Sequence, residues 1–287
     1  MVGIDPVSNA EKPGARLSAN NLMLRVVSAA ILAPLALLAA YAGGWPFALF
    51  WGIAALVVLW EWMTLVAGPG YRLMVSSCAA AIAVADFLAW LGRPVTALCV
   101  VGLGALAGAI FAPGERRLWV IAGTGYAGGL ALAPIFVRAD NGFGFVAIVL
   151  LFAIVWTTDV IGYFAGRAFG GPKLWPAVSP KKTWSGAIAG TIAAVAVALL
   201  VAGQFGSFGR IAIVAVALLL SIVAQGGDLL ESWVKRRFDA KDSSQLIPGH
   251  GGAMDRLDGF WAAAVAGCVV GLFRGGFDEP ARGLLIW

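Results

Sequence analysis

An all-α, polytopic integral membrane protein with about nine transmembrane helices is the fold class this sequence predicts, on three observations. Hydrophobic residues make up 61% of the 287-residue chain and charged residues only 12%, about half the charge of an ordinary soluble domain. The apolar residues come in runs close to the ~20 that cross a bilayer as a helix. The charged residues gather between those runs, with the basic ones distributed unequally.

Residues 1–24 are polar, with Pro and Asn, and read as a cytoplasmic N-terminal tail. Nine apolar runs follow at about 26–43, 46–67, 73–91, 95–112, 118–137, 143–165, 185–204, 211–231 and 259–273. Ala40-Tyr-Ala42 mimics a signal-peptidase site, but the tail before it is long and weakly basic, so the first run is kept as a span. The chain divides into an N-terminal transmembrane bundle (25–142) and a C-terminal catalytic region (143–287) carrying the two larger loops, 166–184 and 232–258. No soluble domain or long repeat is visible, so a pocket for a polar substrate has to be built from helix ends and these loops.

Orientation follows from counting. The tail out to Arg25 and the segments 68–72, 113–117, 166–184 (with Arg167) and 232–258 hold fifteen of the twenty Lys and Arg residues; the opposite ends hold five. Positive charge marks the cytoplasmic side, which puts the N-terminus and both large loops in the cytoplasm, in a multi-pass protein of the cell inner (plasma) membrane. The net charge of +5 therefore reports orientation, and no nucleic-acid partner is expected. Cys78, Cys99 and Cys268 sit in apolar runs without paired spacing and read as small hydrophobes. The twelve tryptophans lie mostly near span ends, where indole rings anchor at the interface.

The densest polar chemistry lies in 232–258, which holds the only histidine, five basic and four acidic residues. Asp228, Glu231, Ser232 and Lys235 fall at i, i+3, i+4 and i+7, so one helix face presents all four. Asp255 and Asp258 again share a face where the last apolar run begins. Asp228 closes the apolar run at Gln225-Gly-Gly-Asp228, where a charge is costly unless it meets a polar cavity. Upstream, Ser179-Pro-Lys-Lys-Thr183 precedes an apolar helix. Hydroxyls, ammonium groups and free N–H groups at such a helix start make an anion cradle. Asp159 lies inside the sixth run, and an intramembrane acid is a functional candidate. Glu61 and Asp86 are also intramembrane acids, but no motif surrounds them and both read as structurally paired.

The spelling S-x-x-K-R-x4-K-D followed by P-x-H-G-G-x-x-D-R-x-D, covering Ser232 to Asp258, resembles the signature of phosphatidate cytidylyltransferases, also called CDP-diacylglycerol synthases. Ser179-Pro-Lys-Lys-Thr-Trp-Ser-Gly186 is similar to that family's upstream block, with Ser185 where many members carry glutamate. Asp159, Gly162, Tyr163, Gly166 and Arg167 resemble a third family pattern. The resemblance implies an all-helical membrane enzyme, a homodimer, that joins CTP to phosphatidate with Mg²⁺, in a site of one or two metals, giving CDP-diacylglycerol and pyrophosphate for phospholipid synthesis.

Such a reaction needs no enzyme nucleophile, because the lipid phosphate attacks the α-phosphorus directly. Bringing anions together is the barrier, so metal, Lys and Arg supply the catalysis. Mg²⁺ takes a carboxylate or two plus phosphate oxygens and waters, for which Asp228, Asp255 and Asp258 are the expected ligands, with Lys235 as a fourth catalytic group. Expected to bind the substrates are Ser179, Lys181, Lys182, Thr183, Ser232, Arg236, Lys241, Asp242, His250, Gly251, Gly252 and Arg256, with Asp159 as a positioning acid. A CTP-dependent lipid kinase would release CDP in place of pyrophosphate. A transporter of an anionic solute would show paired broken helices in two related halves, and the sequence has no such repeat.

Overall fold

The computed structural model describes residues 30–68, 71–206, 208–247 and 251–287. The tail assigned to 1–24, and His250, lie outside the described residues. The expected helical architecture is found. The helices are α1 (Ala30–Ala42), α2 (Gly44–Ala67), α3 (Arg72–Trp90), α4 (Pro94–Phe111), α5 (Arg117–Ala139), α6 (Gly144–Phe169), α7 (Trp184–Phe205), α8 (Arg210–Arg237), α9 (Met254–Gly275) and α10 (Pro280–Leu285). Among the described residues, the eight from α2 to α9 are long and apolar enough to cross a membrane, while α1 is shorter. Large apolar side chains such as Leu103, Ile110, Phe164, Ile192 and Phe273 stay exposed on the helices, as expected of a surface solvated by lipid.

Two elements depart from the hydropathy pattern. Loop 166–184 contains an antiparallel hairpin, β1 (Lys173–Trp175) and β2 (Ser179–Thr183), with Lys173 opposite Thr183 and Trp175 opposite Ser179. Its strands are too short to register as an alternating run. Helix α8 continues to Arg237, past the apolar stretch that ends at 231. Glu231 and Lys235 pair one turn apart there, and Lys235, Arg236 and Arg237 lie in the last turn, where cations complement the helix dipole. At 28 residues, α8 is about 42 Å long. That exceeds the ~30 Å hydrocarbon layer, so its end can stand clear of the membrane interior.

Small residues set the helix spacing around the polar end. Helix α6 carries Gly162 and Gly166, and α7 carries Gly186 and Gly190, two four-residue spacings facing one another. A Cβ at Gly186 would come 2.5 Å from the Gly162 carbonyl oxygen, and one at Gly190 2.6 Å from that of Thr158. Only glycine lets the two backbones meet this closely, the same logic by which small residues drive helix association in lipid. Helices α8 and α9 cross in the same way, because a Cβ at Gly227 would lie 2.6 Å from the carbonyl oxygen of Asp258. Asp228 and Asp258 are thereby carried to one place.

A buried polar chain ties the three helices of this half together. Thr158 of α6 meets Ser221 of α8 at 2.8 Å, Ser221 meets Thr191 of α7 at 3.0 Å, and Gln225 Nε2 donates to Thr191 at 3.0 Å. The apolar core reaches across both halves of the chain. Trp51 of α2 stacks on Phe260 of α9 at 4.6 Å, and Phe260 on Phe152 of α6 at 5.1 Å. On the far side, Asp140 accepts from Gly142 N and Phe143 N at the start of α6 and from Arg282 N of α10, which fastens the C-terminal helix.

Candidate active site

The end of α8, the start of α9, the hairpin and the end of α2 meet at one pole of the bundle. The centre is Lys235, whose residue is only 8% exposed. Its Nζ lies 2.7 Å from Glu231 Oε2 and also pairs with Asp255 Oδ1. One buried cation thus sits between two carboxylates, and Glu231 keeps a further buried oxygen, Oε1, with no partner among the described residues. Burying a net negative triad is costly, so the arrangement favours a cation or positive ligand arriving nearby.

Asp255 is saturated by protein donors. While Oδ1 holds Lys235, Oδ2 accepts from Ser243 N (2.9 Å), Ser243 Oγ (2.8 Å) and Gly252 N (2.8 Å). Asp255 therefore pins Ser243 and Gly252 to the buried lysine. The glycines there have a physical reason. Gly251 adopts φ +84°, and a Cβ there would come 2.9 Å from Asp255 Oδ2, so a side chain would meet both backbone strain and a carboxylate. Its carbonyl also accepts from Ile247 N at 2.8 Å, closing the loop.

Asp228 and Asp258 have more freedom. Asp228, half-exposed, forms a 2.5 Å ion pair with Lys182 from the end of β2 and accepts from Ser232 Oγ at 3.4 Å. Asp258 accepts from Gly259 N at 2.8 Å. Asp228, Glu231 and Asp159 lie within electrostatic reach of it. Asp159, exposed on α6, lies within electrostatic reach of Lys182, Asp228 and Arg256. The structure thus gathers Asp159, Lys182, Asp228, Glu231, Ser232, Lys235, Asp255 and Asp258 at one pole.

Carboxylate oxygens are the hard donors Mg²⁺ takes, and one or two of them beside substrate phosphates suffice for that ion. Among the described residues there is no ready-made cage of three or more acidic, His or Cys ligands. Asp228 and Asp258 fit a magnesium completed by phosphate oxygens. Asp255 does not fit, since both its oxygens are engaged by protein donors.

The remaining candidates form two groups. Lys181, Arg236, Lys241, Asp242 and Arg256 are exposed around the site, with Arg236 Nη1 donating to the Ala240 carbonyl at 2.7 Å. Ser179 is half-buried in β2. Thr183 is buried as the N-cap of α7: its hydroxyl accepts from Gly186 N at 3.2 Å and meets Ser185 Oγ at 3.0 Å. Ser185 donates to the Gly170 carbonyl and so ties the start of α7 to the end of α6. These hydroxyls hold the hairpin in place, while Lys181 and Lys182 are left to present charge.

Glu231, Ser243 and Ser244 stand beside Lys235 and Asp255 or Glu61 without belonging to the expected site residues. Glu231 has a sequence signal, the i,i+4 spacing to Lys235. Ser243 and Ser244 have none, because their partners are distant in the chain. Tyr126 of α5 stacks on Trp261 of α9 at 4.0 Å, and neither the Tyr126 hydroxyl nor Trp261 Nε1 has a partner among the described residues. The two rings form an aromatic floor beneath the acidic cluster.

Comparison with known proteins agrees with this chemistry. The family described as the cytidylyltransferase family matches residues 23–273. A protein named phosphatidate cytidylyltransferase from Brucella abortus (strain 2308) is 45% identical over 264 residues, covering 91% of this chain and 96% of that protein. The protein of the same name from Brucella suis biovar 1 matches to the same extent. One from Rickettsia typhi is 42% identical over 118 residues, 39% of this chain and 52% of that protein.

Proposed function

This chain belongs to the cytidylyltransferase family, and on that premise we propose how its polar pole makes CDP-diacylglycerol from CTP and phosphatidate. The enzyme is a nucleotidyltransferase: the cytidylyl group of CTP passes to phosphatidate and pyrophosphate is released. The observation that carries the site assignment is the convergence of Lys182, Asp228, Lys235 and Asp258 from three separate elements.

A phosphate oxygen of phosphatidate forms a bond to the α-phosphorus of CTP, and the bond to the β-phosphate oxygen breaks with its electron pair leaving on pyrophosphate. Lys181 and Lys182 on the hairpin, with Arg236, Lys241 and Arg256 at the rim, attract the triphosphate and the lipid phosphate. Lys182 can exchange its pairing with Asp228 for phosphate oxygens, because both side chains keep partial access to solvent. Asp228 and Asp258 would hold magnesium, which when bound supplies neutralisation of the charge accumulating on the phosphates. Lys235 stays fixed between Glu231 and Asp255, a buried positive charge beside that point. Asp159 orients Lys182 and Arg256 from α6. Ser179, Thr183, Asp242, Gly251 and Gly252 shape the loops, Ser232 donates to Asp228 from α8, and His250 borders them in sequence.

The pole lies on the cytoplasmic side of the inner membrane in this reading, which the fifteen-to-five charge asymmetry supports and which gives access to CTP. A homodimer belongs to the same proposal and rests on the family resemblance. The deciding experiment supplies detergent-purified protein with CTP and phosphatidate, with and without Mg²⁺. Pyrophosphate and a CDP-linked lipid, formed only with both substrates and the metal, are expected. CDP with no pyrophosphate would establish a lipid kinase, and no turnover by folded protein would favour a transporter.

A further inference from the structure

Glu61 lies in α2, outside every sequence motif of the site, and its residue is 0% exposed. A bare carboxylate in such a place is costly, yet this one is met by four donors. Its Oε1 accepts from Ser244 Oγ at 2.6 Å and Ala253 N at 2.9 Å. Its Oε2 accepts from Ser243 Oγ at 3.0 Å and Met254 N at 2.7 Å. Each oxygen thus takes one serine hydroxyl and one backbone N–H from the segment that opens α9.

The backbone donors are the free N–H groups of a helix start, and α9 has no side-chain cap of its own. Glu61 supplies that cap from another helix, with its charge at the positive end of the α9 dipole. Capping alone would leave the serines unexplained. Ser243 Oγ lies within hydrogen-bonding distance of both Glu61 Oε2 and Asp255 Oδ2, at 3.0 and 2.8 Å, and shares its one proton between them. Asp255 holds Lys235, which holds Glu231. A continuous polar chain therefore runs from Glu61 through Ser243 and Asp255 to Lys235. Gly252 is pressed against it: a Cβ there would lie 2.5 Å from Glu61 Oε1.

We propose that Glu61 is a positioning residue for cytidylyl transfer, acting through Ser243 and Asp255 to hold Lys235, and through the start of α9 to hold Asp258. The proposal rests on the site assigned above. It gives the N-terminal bundle a direct part in the chemistry, since the fixed end of the chain of contacts belongs to α2. Glutamine in place of Glu61 would keep the size but present an NH₂ to a hydroxyl and a backbone N–H, and the N–H cannot turn to accept. The charge opposing the α9 dipole would go as well.

The test compares full-length wild type, Glu61→Gln, Ser243→Ala, Ser244→Ala and the Glu61→Gln/Ser243→Ala double variant in detergent, each rate normalised to folded protein. Glu61→Gln is expected to lower kcat by about 30-fold or more while KM for CTP shifts by about 3-fold or less, the pattern of a lost transition-state arrangement. Because Glu61 acts through Ser243, the double variant is expected to be no slower than Glu61→Gln alone. A folded Glu61→Gln protein with wild-type kcat, or losses that multiply in the double variant, would overturn the proposal. If Glu61→Gln does not fold, the two serines decide. Only Ser243 reaches Asp255, so Ser243→Ala must slow kcat more than Ser244→Ala, and equal effects would reduce Glu61 to a cap. An inactive wild type in the same assay would strike the cytidylyltransferase reading itself.

Discussion

Two aspartates of the candidate site, Asp228 and Asp255, carry the same charge and have different surroundings. Asp228 is half-exposed and makes one ion pair to a lysine that is itself half-exposed. Asp228→Asn should therefore leave the melting temperature nearly unchanged and lower turnover by about 100-fold or more, the scale of losing an electrostatic group at the reacting phosphates. Asp255 is buried against Lys235 and accepts three further donors. Asp255→Asn should lose activity and also stability, by about 3 kcal/mol, because removing one partner of a buried pair strands the other. Thermal unfolding of the two variants side by side checks the contrast. If Asp255→Asn melted like wild type, its assignment as loop anchor would fail. Sequence spacing places both residues near the site but cannot separate their roles, since the separation depends on what each oxygen touches.

At the scale of elements, glycine contacts decide where the acids stand. The α6–α7 seam at Gly162, Gly166, Gly186 and Gly190 fixes Asp159 beside the hairpin. Gly190→Leu should force the helices apart and cost both folded yield and activity, read as a lower melting temperature and a higher KM for CTP. Gly251→Ala is a finer probe. Its backbone sits at φ +84° with Asp255 close by, so even a methyl group should destabilise the loop by about 1–2 kcal/mol and slow turnover. A wild-type rate would show that the loop adapts freely. Eight spans are legible in the sequence, because lipid imposes length and apolarity on every helix that crosses it, while the first expected run, 26–43, gives only the shorter α1 among the described residues. The hairpin is not, since three and five residues are too few for a period to emerge. The extension of α8 to Arg237 is hidden for a different reason, as charges stabilise it and hydropathy ends at 231.

For the whole molecule, the two large loops are far apart in the chain yet share one pole. The Lys182–Asp228 pair joins the first loop to the helix that leads into the second. Loops assigned to one side by counting thus lie at one end of the bundle. A cysteine introduced at Lys241, in a variant lacking Cys99, should react with a membrane-impermeant maleimide in inside-out vesicles and not in intact spheroplasts; the reverse pattern would invert the topology. The signature blocks make the polar pole legible, because phosphate chemistry needs charge in an otherwise apolar chain. Glu61 shows what such reading misses. Its donors lie as many as 193 residues away and are hydroxyls and N–H groups, which leave no mark on charge or spacing. The boundary at 142–143 is likewise soft, since aromatic stacking of Trp51 on Phe260 joins the two sides.

The account's central claim is that Asp228 and Asp258, held beside Lys235, carry the transfer of the α-phosphorus. The most direct measurement is single-turnover transfer of label from CTP, marked at the α-phosphorus, into lipid by folded wild type, Asp228→Asn and Asp258→Asn at saturating Mg²⁺. The account predicts label in CDP-diacylglycerol for wild type and a rate lower by about 100-fold or more for each variant. Either variant transferring label at the wild-type rate would contradict it.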